Sequence, residues 1–319
     1  MALLTRTLPA ERSPGQEKRA TRRRRSTGGR SPGEPRKIAY LYVLPAFAVY
    51  GVLVVVPFGQ CVWISLFDWD GLSVARWVGL ANYTEVFTDP QLRSSFLHAG
   101  VLVAFFAIIP IVTALLLTAS LSRNAKLRGR TAFRTVLFLP QVIASVVVAT
   151  TWSSIYSPDG MLNFVLRAVG LGPLTRPWLG DYSLALPAVG VIGSWIGVGG
   201  FLVMFMAGVQ QISTDLYDAA RIDGAGPVRE FFAVTLPGLR GQVAVAMTLG
   251  IIGALRTFDL VYVTTHGGPG TSTSVPAYEV YHRAFVTNQV GSACAVAFTL
   301  AALIFLVTVL VNRLDPGEQ

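Results

Sequence analysis

Five stretches of the chain contain no Asp, Glu, Lys or Arg: 38–67, 94–122, 135–158, 182–214 and 284–312. Each is longer than the ~20 residues an α-helix needs to cross the hydrocarbon of a bilayer. A sixth run, 241–255, is shorter, but apolar residues continue past Arg256 and Asp259 to about Thr265. In lipid only a helix satisfies its backbone polar groups within one segment. The pattern therefore predicts an all-α integral membrane protein with six transmembrane helices, at about 40–66, 97–121, 133–156, 184–210, 242–264 and 289–312. Pro57, Pro110 and Pro187 fall inside these runs; they would break soluble helices but are tolerated in membrane ones. The first run is too long for a cleaved signal peptide, and no A-x-A-like site follows it.

Composition agrees with this reading. Hydrophobic types make up 52% and charged types 13%, about half the charged share of a soluble domain, which argues against a cytosolic enzyme. The net charge of +9 is concentrated at one end: residues 1–37 carry eleven Lys/Arg against three Glu, and the other 282 residues carry about +1. This stretch is Pro/Gly/Ser-rich with too little apolar content to fold. It is expected to be a basic, disordered cytoplasmic tail, either simply solvated or binding anionic membrane lipid. Residues 38–319 are the membrane domain. Because the basic charge lies in this tail, nucleic acid is not an expected partner.

The distribution of Lys/Arg predicts orientation. With the tail inside, cytoplasmic segments hold 20 Lys/Arg and the opposite loops five (Arg76, Arg93, Arg167, Arg176 and Arg283). Both termini are therefore expected in the cytoplasm. Trp63, Trp69, Trp77, Trp152 and Trp178 fall near the predicted outer ends of the spans, as interfacial aromatics do.

Chemistry is sparse within the spans. Ion-coupled carriers place ionisable groups inside the bilayer, and apart from Arg134 at the very start of the third, five of the six predicted helices have no Asp, Glu, Lys or Arg. The fifth has Arg256 and Asp259, three apart on one helix face, where they can pair and neutralise each other. No G-x-x-x-x-G-K-[ST] sequence is present to cradle ATP, no metal-ligand spacing joins the three histidines, and Cys61 and Cys294 form no C-x-x-C pair. No catalytic residues, metal or cofactor are expected on this chain. Energy for uphill transport would come from a partner.

The segment 211–241 carries the clearest local signals. Ser213 or Thr214 can cap a helix, with Asp215 and Asp218 in its first turns, where the helix dipole favours anions. Gly224 or Gly226 can end it in a left-handed cap, Pro227 suits the first position of a second helix, and Pro237 discourages continuation. Two short helices are predicted, at about 214–223 and 227–236. Leu216, Ile222, Phe231 and Phe232 supply apolar contact, and Ala219 and Ala220 allow close approach. The hairpin is either a docking element or folded back on the membrane surface.

Small residues form stripes on the fourth and fifth predicted helices. Gly193, Ile196, Gly197 and Gly200 recur at i, i+3, i+4, i+7, as do Gly250, Gly253, Ala254 and Thr257. Such stripes either pack helices closely or line a translocation cavity.

Asp218-Ala219-Ala220, Gly224 and Val234-Thr235-Leu236-Pro237 resemble the "EAA" loop of permease subunits of binding-protein-dependent ABC importers, with Asp for Glu at 218 and Val for Ile at 234. Asp223-Gly224-Ala225 and Leu236-Pro237 resemble the sugar-importing branch, similar to the maltose permease. So do Gly79-Leu80-Ala81-Asn82-Tyr83 with Asp89-Pro90, Trp195-Ile196-Gly197, Phe258-Asp259 and Thr265-His266-Gly267-Gly268-Pro269.

The resemblance implies a permease subunit in a bacterial plasma membrane. Its partners would be a second, homologous permease, an ATPase dimer that binds the ATP and Mg, and an extracytoplasmic binding protein delivering a carbohydrate. It implies ATPase coupling through Asp218, Ala219, Ala220, Asp223, Gly224, Leu236 and Pro237, and sugar contacts on the two small-residue stretches. A non-sugar solute such as glycerol phosphate or a polyamine, or a non-transporting membrane scaffold, is the alternative.

Overall fold

The computed structural model describes residues 36–123 and 130–314. The predicted basic tail lies outside the described residues except for its last two: the first helix, Arg36–Tyr50, already includes them. The chain divides into two compact units, Met1–Val56 and Pro57–Gln319. In the described part of the first unit the chain is helical throughout.

Among the described residues four helices are long and apolar enough to cross a membrane: Tyr42–Ile64, Pro90–Leu121, Ala185–Val209 and Val290–Val311. Two further apolar stretches are each a bent pair, Ala132–Val142 with Ser145–Ile155 at 99°, and Pro227–Gly238 with Arg240–Leu255 at 71°. The spans number up to six if each pair counts as one.

Two expected spans are therefore corrected. The run 133–156 is not one straight helix: Ala144 is extended (φ −57°, ψ 135°) and its carbonyl starts a new helix in a different direction. The run 242–264 also breaks. Its helix ends at Leu255, residues 256–258 lie between helices, and Asp259–Thr264 is a separate short helix. Hydropathy reports the length of an apolar segment, not its direction, so it could not see either break.

The second break also dissolves the expected Arg256–Asp259 pair, because the two residues no longer share a helix face. Among the described residues no ion pair joins them. Asp259 instead accepts a hydrogen bond from Ser145 Oγ at 2.7 Å, joining the two broken segments. An acid in the first turn of a helix also complements its dipole.

The prolines show how the long helices survive. Among the described residues there are four π turns, and three of them, Gly51–Val55, Ala104–Ile108 and Phe231–Thr235, end two residues before a proline: Pro57, Pro110 and Pro237. In each, the N–H of the residue before proline bonds back five positions, Val56 to Gly51, Ile109 to Ala104 and Leu236 to Phe231. Proline has no N–H and clashes with the carbonyl four residues back. The widened turn removes that conflict without ending the helix. Pro237 thus does not stop the hairpin's second helix, which runs to Gly238. Pro187 is the third residue of its helix, where its missing N–H costs nothing.

The predicted loop motif 79–83 is a clasp. Asn82 Nδ2 donates to the Ser65 and Phe67 carbonyls at 2.8 and 2.9 Å, and Tyr83 and Ser65 share a hydroxyl hydrogen bond of 2.7 Å. Strands Phe67–Asp68 and Arg76–Trp77 pair antiparallel within the same loop. Asp89 then caps the Pro90–Val103 helix, accepting from Gln91 N at 2.7 Å and Leu92 N at 3.3 Å.

Among the described residues the two largest buried clusters lie in the second unit. One gathers Leu102, Val189, Ile192, Ala254, Leu260 and Val275; the other gathers Ile111, Ala114, Leu202, Phe205, Met206 and Leu239. The Ala185–Val209 helix contributes to both and is central to the packing.

Candidate functional site: a capped hairpin and a small-residue cavity

The hairpin forms as its local signals dictate. Ser213 Oγ accepts from Asp215 N at 3.3 Å at the start of Thr214–Ile222. At the other end Gly224 adopts φ +76°. Gly224 N then donates to Arg221 O at 3.0 Å, and Ala225 N to Ala220 O at 2.9 Å. These two bonds, around a left-handed residue just past the helix, are a Schellman cap. The space around Gly224 is open, so its backbone conformation alone demands glycine.

The two arms are tied by side chains. Arg221 Nε donates to Glu230 at 3.1 Å and Arg221 Nη1 to Asp218 at 3.2 Å. Glu230 is buried and Asp218 exposed. The hydrogen bond and charge of Glu230, with a smaller share from Asp218, push the Arg221 pKa above its usual value. Tyr217 and Thr235 share a hydroxyl hydrogen bond of 3.2 Å. At the base, a Cβ on Gly238 would lie 2.5 Å from Ile212 Cδ1.

The caps and ion pairs of the hairpin are internal to it. Its outward surface carries large apolar side chains among charged ones: Leu216, Ile222, Val228 and Phe232 are all more than half exposed. Asp218, Ala219, Asp223, Gly224 and Pro237 lie on the exposed side, while Ala220 and Leu236 are half-buried.

The second feature is a cavity of about 410 Å³ within the second unit. Six of the eight stripe residues line it: Gly193, Ile196, Gly197, Gly200, Gly250 and Gly253. Ala254 and Thr257 do not. Ala254 is fully buried in the core, and Thr257 lies past the end of the helix, so the i+7 register fails there.

The glycines divide by what surrounds them. A Cβ at Gly193 would strike the Phe106 ring at 2.1 Å, and one at Gly250 would meet Ala107 Cα at 2.7 Å. These two permit close helix packing. At Gly197 and Gly200 the nearest atoms stand at 3.4 Å, and at Gly253 at 4.0 Å, so these three leave room and shape the cavity. The stripes thus pack helices at some residues and line a cavity at others. Ser194 Oγ donates to Phe105 O at 2.5 Å, satisfying a carbonyl in the π turn of the neighbouring helix.

The wall also contains Phe106, Gln141, Phe201, Met204 and Leu249, which the stripes did not reveal. Gln141 had a signal: it is the single amide side chain in the charge-free run 135–158, and a polar group amid an apolar run is costly unless used. It follows Pro140 and precedes the bend at Ile143–Ala144. Nothing in the sequence marks Phe106, which reaches the cavity only through helix packing. The wall is otherwise apolar and carries no ionised side chain.

Comparisons with known proteins agree with this architecture. Residues 111–318 match the family of binding-protein-dependent transport system inner membrane components. The chain is 37% identical to a probable ABC transporter permease protein, YurN, of Bacillus subtilis, covering 82% of this chain and 89% of that one. It is 34% identical to the diacetylchitobiose uptake system permease NgcF of Streptomyces coelicolor (85% and 81% covered). It is also 34% identical to the trehalose/maltose transport permease MalF of Thermococcus litoralis (86% and 92%). In fold it resembles a chain of a bacterial ABC transporter that imports alginate, with a TM-score of 0.75, 19% identity, and 87% and 94% of the two chains covered. On these matches the chain belongs to the family of binding-protein-dependent transport system inner membrane components.

Proposed function

We propose that the chain is one of two permease subunits of an ATP-binding-cassette importer, passing a carbohydrate from an extracytoplasmic binding protein through the membrane. In this reading it spans a bacterial plasma membrane six times, with Ala132–Val142 and Ser145–Ile155 together forming one span and Arg240–Leu255 another, and with both termini cytoplasmic. Support for the orientation comes from the excess of Lys/Arg on one set of loops. The relatives named for diacetylchitobiose and trehalose/maltose support a sugar cargo.

The observation that carries the cargo class is the cavity wall. A phosphorylated solute or a polyamine would need an opposite charge to replace its hydration. The wall offers one amide, aromatic and aliphatic side chains, and open space at three glycines. That suits a neutral polyol or sugar, with further polar contacts supplied by the second permease. A relative named for sn-glycerol-3-phosphate is 30% identical, which makes that ester the competing cargo.

The hairpin 213–238 is assigned to coupling. Its capped, cross-tied arms carry exposed apolar side chains suited to a cleft in an ATPase subunit, and closure of that cleft would move the hairpin as a unit. ATP and Mg belong to the ATPase subunits, and this chain holds no cofactor. The test is uptake by proteoliposomes carrying both permeases, the ATPase and the binding protein. The reading predicts ATP-dependent entry of a radiolabelled neutral oligosaccharide. Entry of glycerol phosphate but no neutral sugar would overturn the cargo, and entry without the ATPase would overturn the mechanism.

A further inference from the structure

The chain has two cysteines, 233 positions apart, and the fold sets them against each other. Cys61 Sγ donates to the Cys294 carbonyl oxygen at 3.8 Å, which sets the two residues side by side. Both are free thiols of intermediate exposure.

Their opposition is fixed by contacts that neither cysteine makes. On one side, Gly291 N donates to Trp69 O at 3.2 Å, and a Cβ at Gly291 would lie 1.9 Å from the Phe67 carbonyl oxygen. The first turn of the last helix is therefore seated directly on the chain that leaves the first. On the other side, the Phe58 and Phe298 rings stand 5.9 Å apart, about one turn deeper. Between these two anchors the cysteines lie side by side on neighbouring helices. Yet no residue of 57–64 is buried, so apolar burial does little to hold this segment.

We propose that Cys61 and Cys294 are a disulfide-forming site, and that the mature protein carries the bond as a covalent pin between its first and last spans. A disulfide brings its sulfurs to about 2.05 Å. With the helices already side by side, closing the bond requires the two side chains to turn toward each other. The thiolate of one cysteine attacks the disulfide of an extracytoplasmic thiol oxidant, forming a mixed disulfide. The second cysteine attacks that bond, and the oxidant leaves as a dithiol. The pair loses two electrons and two protons, and the oxidant gains them. Only the compartment of the oxidant rests on the orientation proposed above. Both cysteines lie about one turn inside the ends that this orientation places outside.

The experiment is differential alkylation of the full chain, extracted from its membrane in denaturant with N-ethylmaleimide and no reductant. Non-reducing digestion and mass spectrometry then identify the state of each cysteine. The expected result is a peptide containing Cys61 joined to one containing Cys294, lost in both Cys61→Ser and Cys294→Ser, with little alkylation at either site. Both cysteines recovered with N-ethylmaleimide would overturn the proposal. So would failure of oxidised glutathione to link them in purified, reduced protein. Orientation is read separately, by labelling Ser73→Cys with a membrane-impermeant maleimide in a chain lacking both native cysteines. A wrong orientation is thereby distinguished from a missing bond.

Discussion

Arg283 donates from Nη2 to Asp89 Oδ2 at 2.9 Å across 194 positions of sequence. The same guanidinium reaches Glu85 Oε1 and Ser292 Oγ, each at 2.7 Å, and lies 4.0 Å from the buried Glu279. Asp89 also caps the Pro90–Val103 helix, so a single carboxylate ties the start of one long helix to the segment that leads into the last. The Arg283 side chain is 9% exposed. Removing a partner from a buried ion pair leaves uncompensated charge, and here three carboxylates depend on one cation. Arg283→Met is expected to lower stability by about 3 kcal/mol, near the lower end for such losses because Glu85 is partly exposed. Thermal unfolding of the detergent-solubilised protein measures it. An unchanged midpoint would show that the network contributes nothing.

Gly224 tests the coupling hairpin. At φ +76°, leucine would cost about 1–2 kcal/mol of local strain, in open space where no clash accompanies it. Gly224→Leu should leave the protein inserted and the complex assembled, but ATP hydrolysis should no longer drive uptake. Gly224→Asn, which tolerates the left-handed conformation, should retain most coupling. Full uptake by the leucine variant in proteoliposomes would remove the hairpin from the mechanism.

The glycines of the cavity predict two opposite phenotypes. Gly193→Ala meets the Phe106 ring and should destabilise the protein by about 1–3 kcal/mol through overpacking. Gly253→Ala has room and should be nearly silent. Gly200→Trp, beside Gln141, should fill the cavity and abolish uptake while ATPase assembly persists. Ala254 is a poor site for such a block, since it is fully buried in the core. Unfolding midpoints and uptake rates across this set separate packing from passage.

Gln141→Leu removes the cavity wall's one amide without much change in volume. A neutral hydrogen bond contributes about 1 kcal/mol, so half-saturation for the transported sugar should rise about fivefold. The readout is uptake against concentration in whole complexes. An unchanged curve would place the amide outside the path.

Much of this is legible in the sequence. The hairpin followed from local chemistry: Ser213, Asp215, Gly224 and Pro227 each act within a few residues of themselves, and the resulting arms match their expected bounds within two residues. The breaks at Ala144 and Arg256 were not legible, because a kinked apolar segment and a straight one have the same hydropathy. Nor was the π turn before each of Pro57, Pro110 and Pro237, although the prolines were plain. Their accommodation depends on how the preceding turn can widen, and in the turn before Pro110 a neighbouring helix satisfies one carbonyl, through Ser194 and Phe105.

The sequence alone determined that this chain belongs in a bilayer as helices, because lipid offers unpaired backbone groups no partner and the charge-free runs are long enough to cross it. It also determined where the hairpin would cap and turn. The tertiary structure decided which glycines pack and which open onto a cavity, that Asp259 meets Ser145 rather than Arg256, and that Cys61 and Arg283 find partners more than 190 positions away. Those outcomes depend on the three-dimensional approach of helices, and spacing along one helix carries no record of what another helix will bring against it.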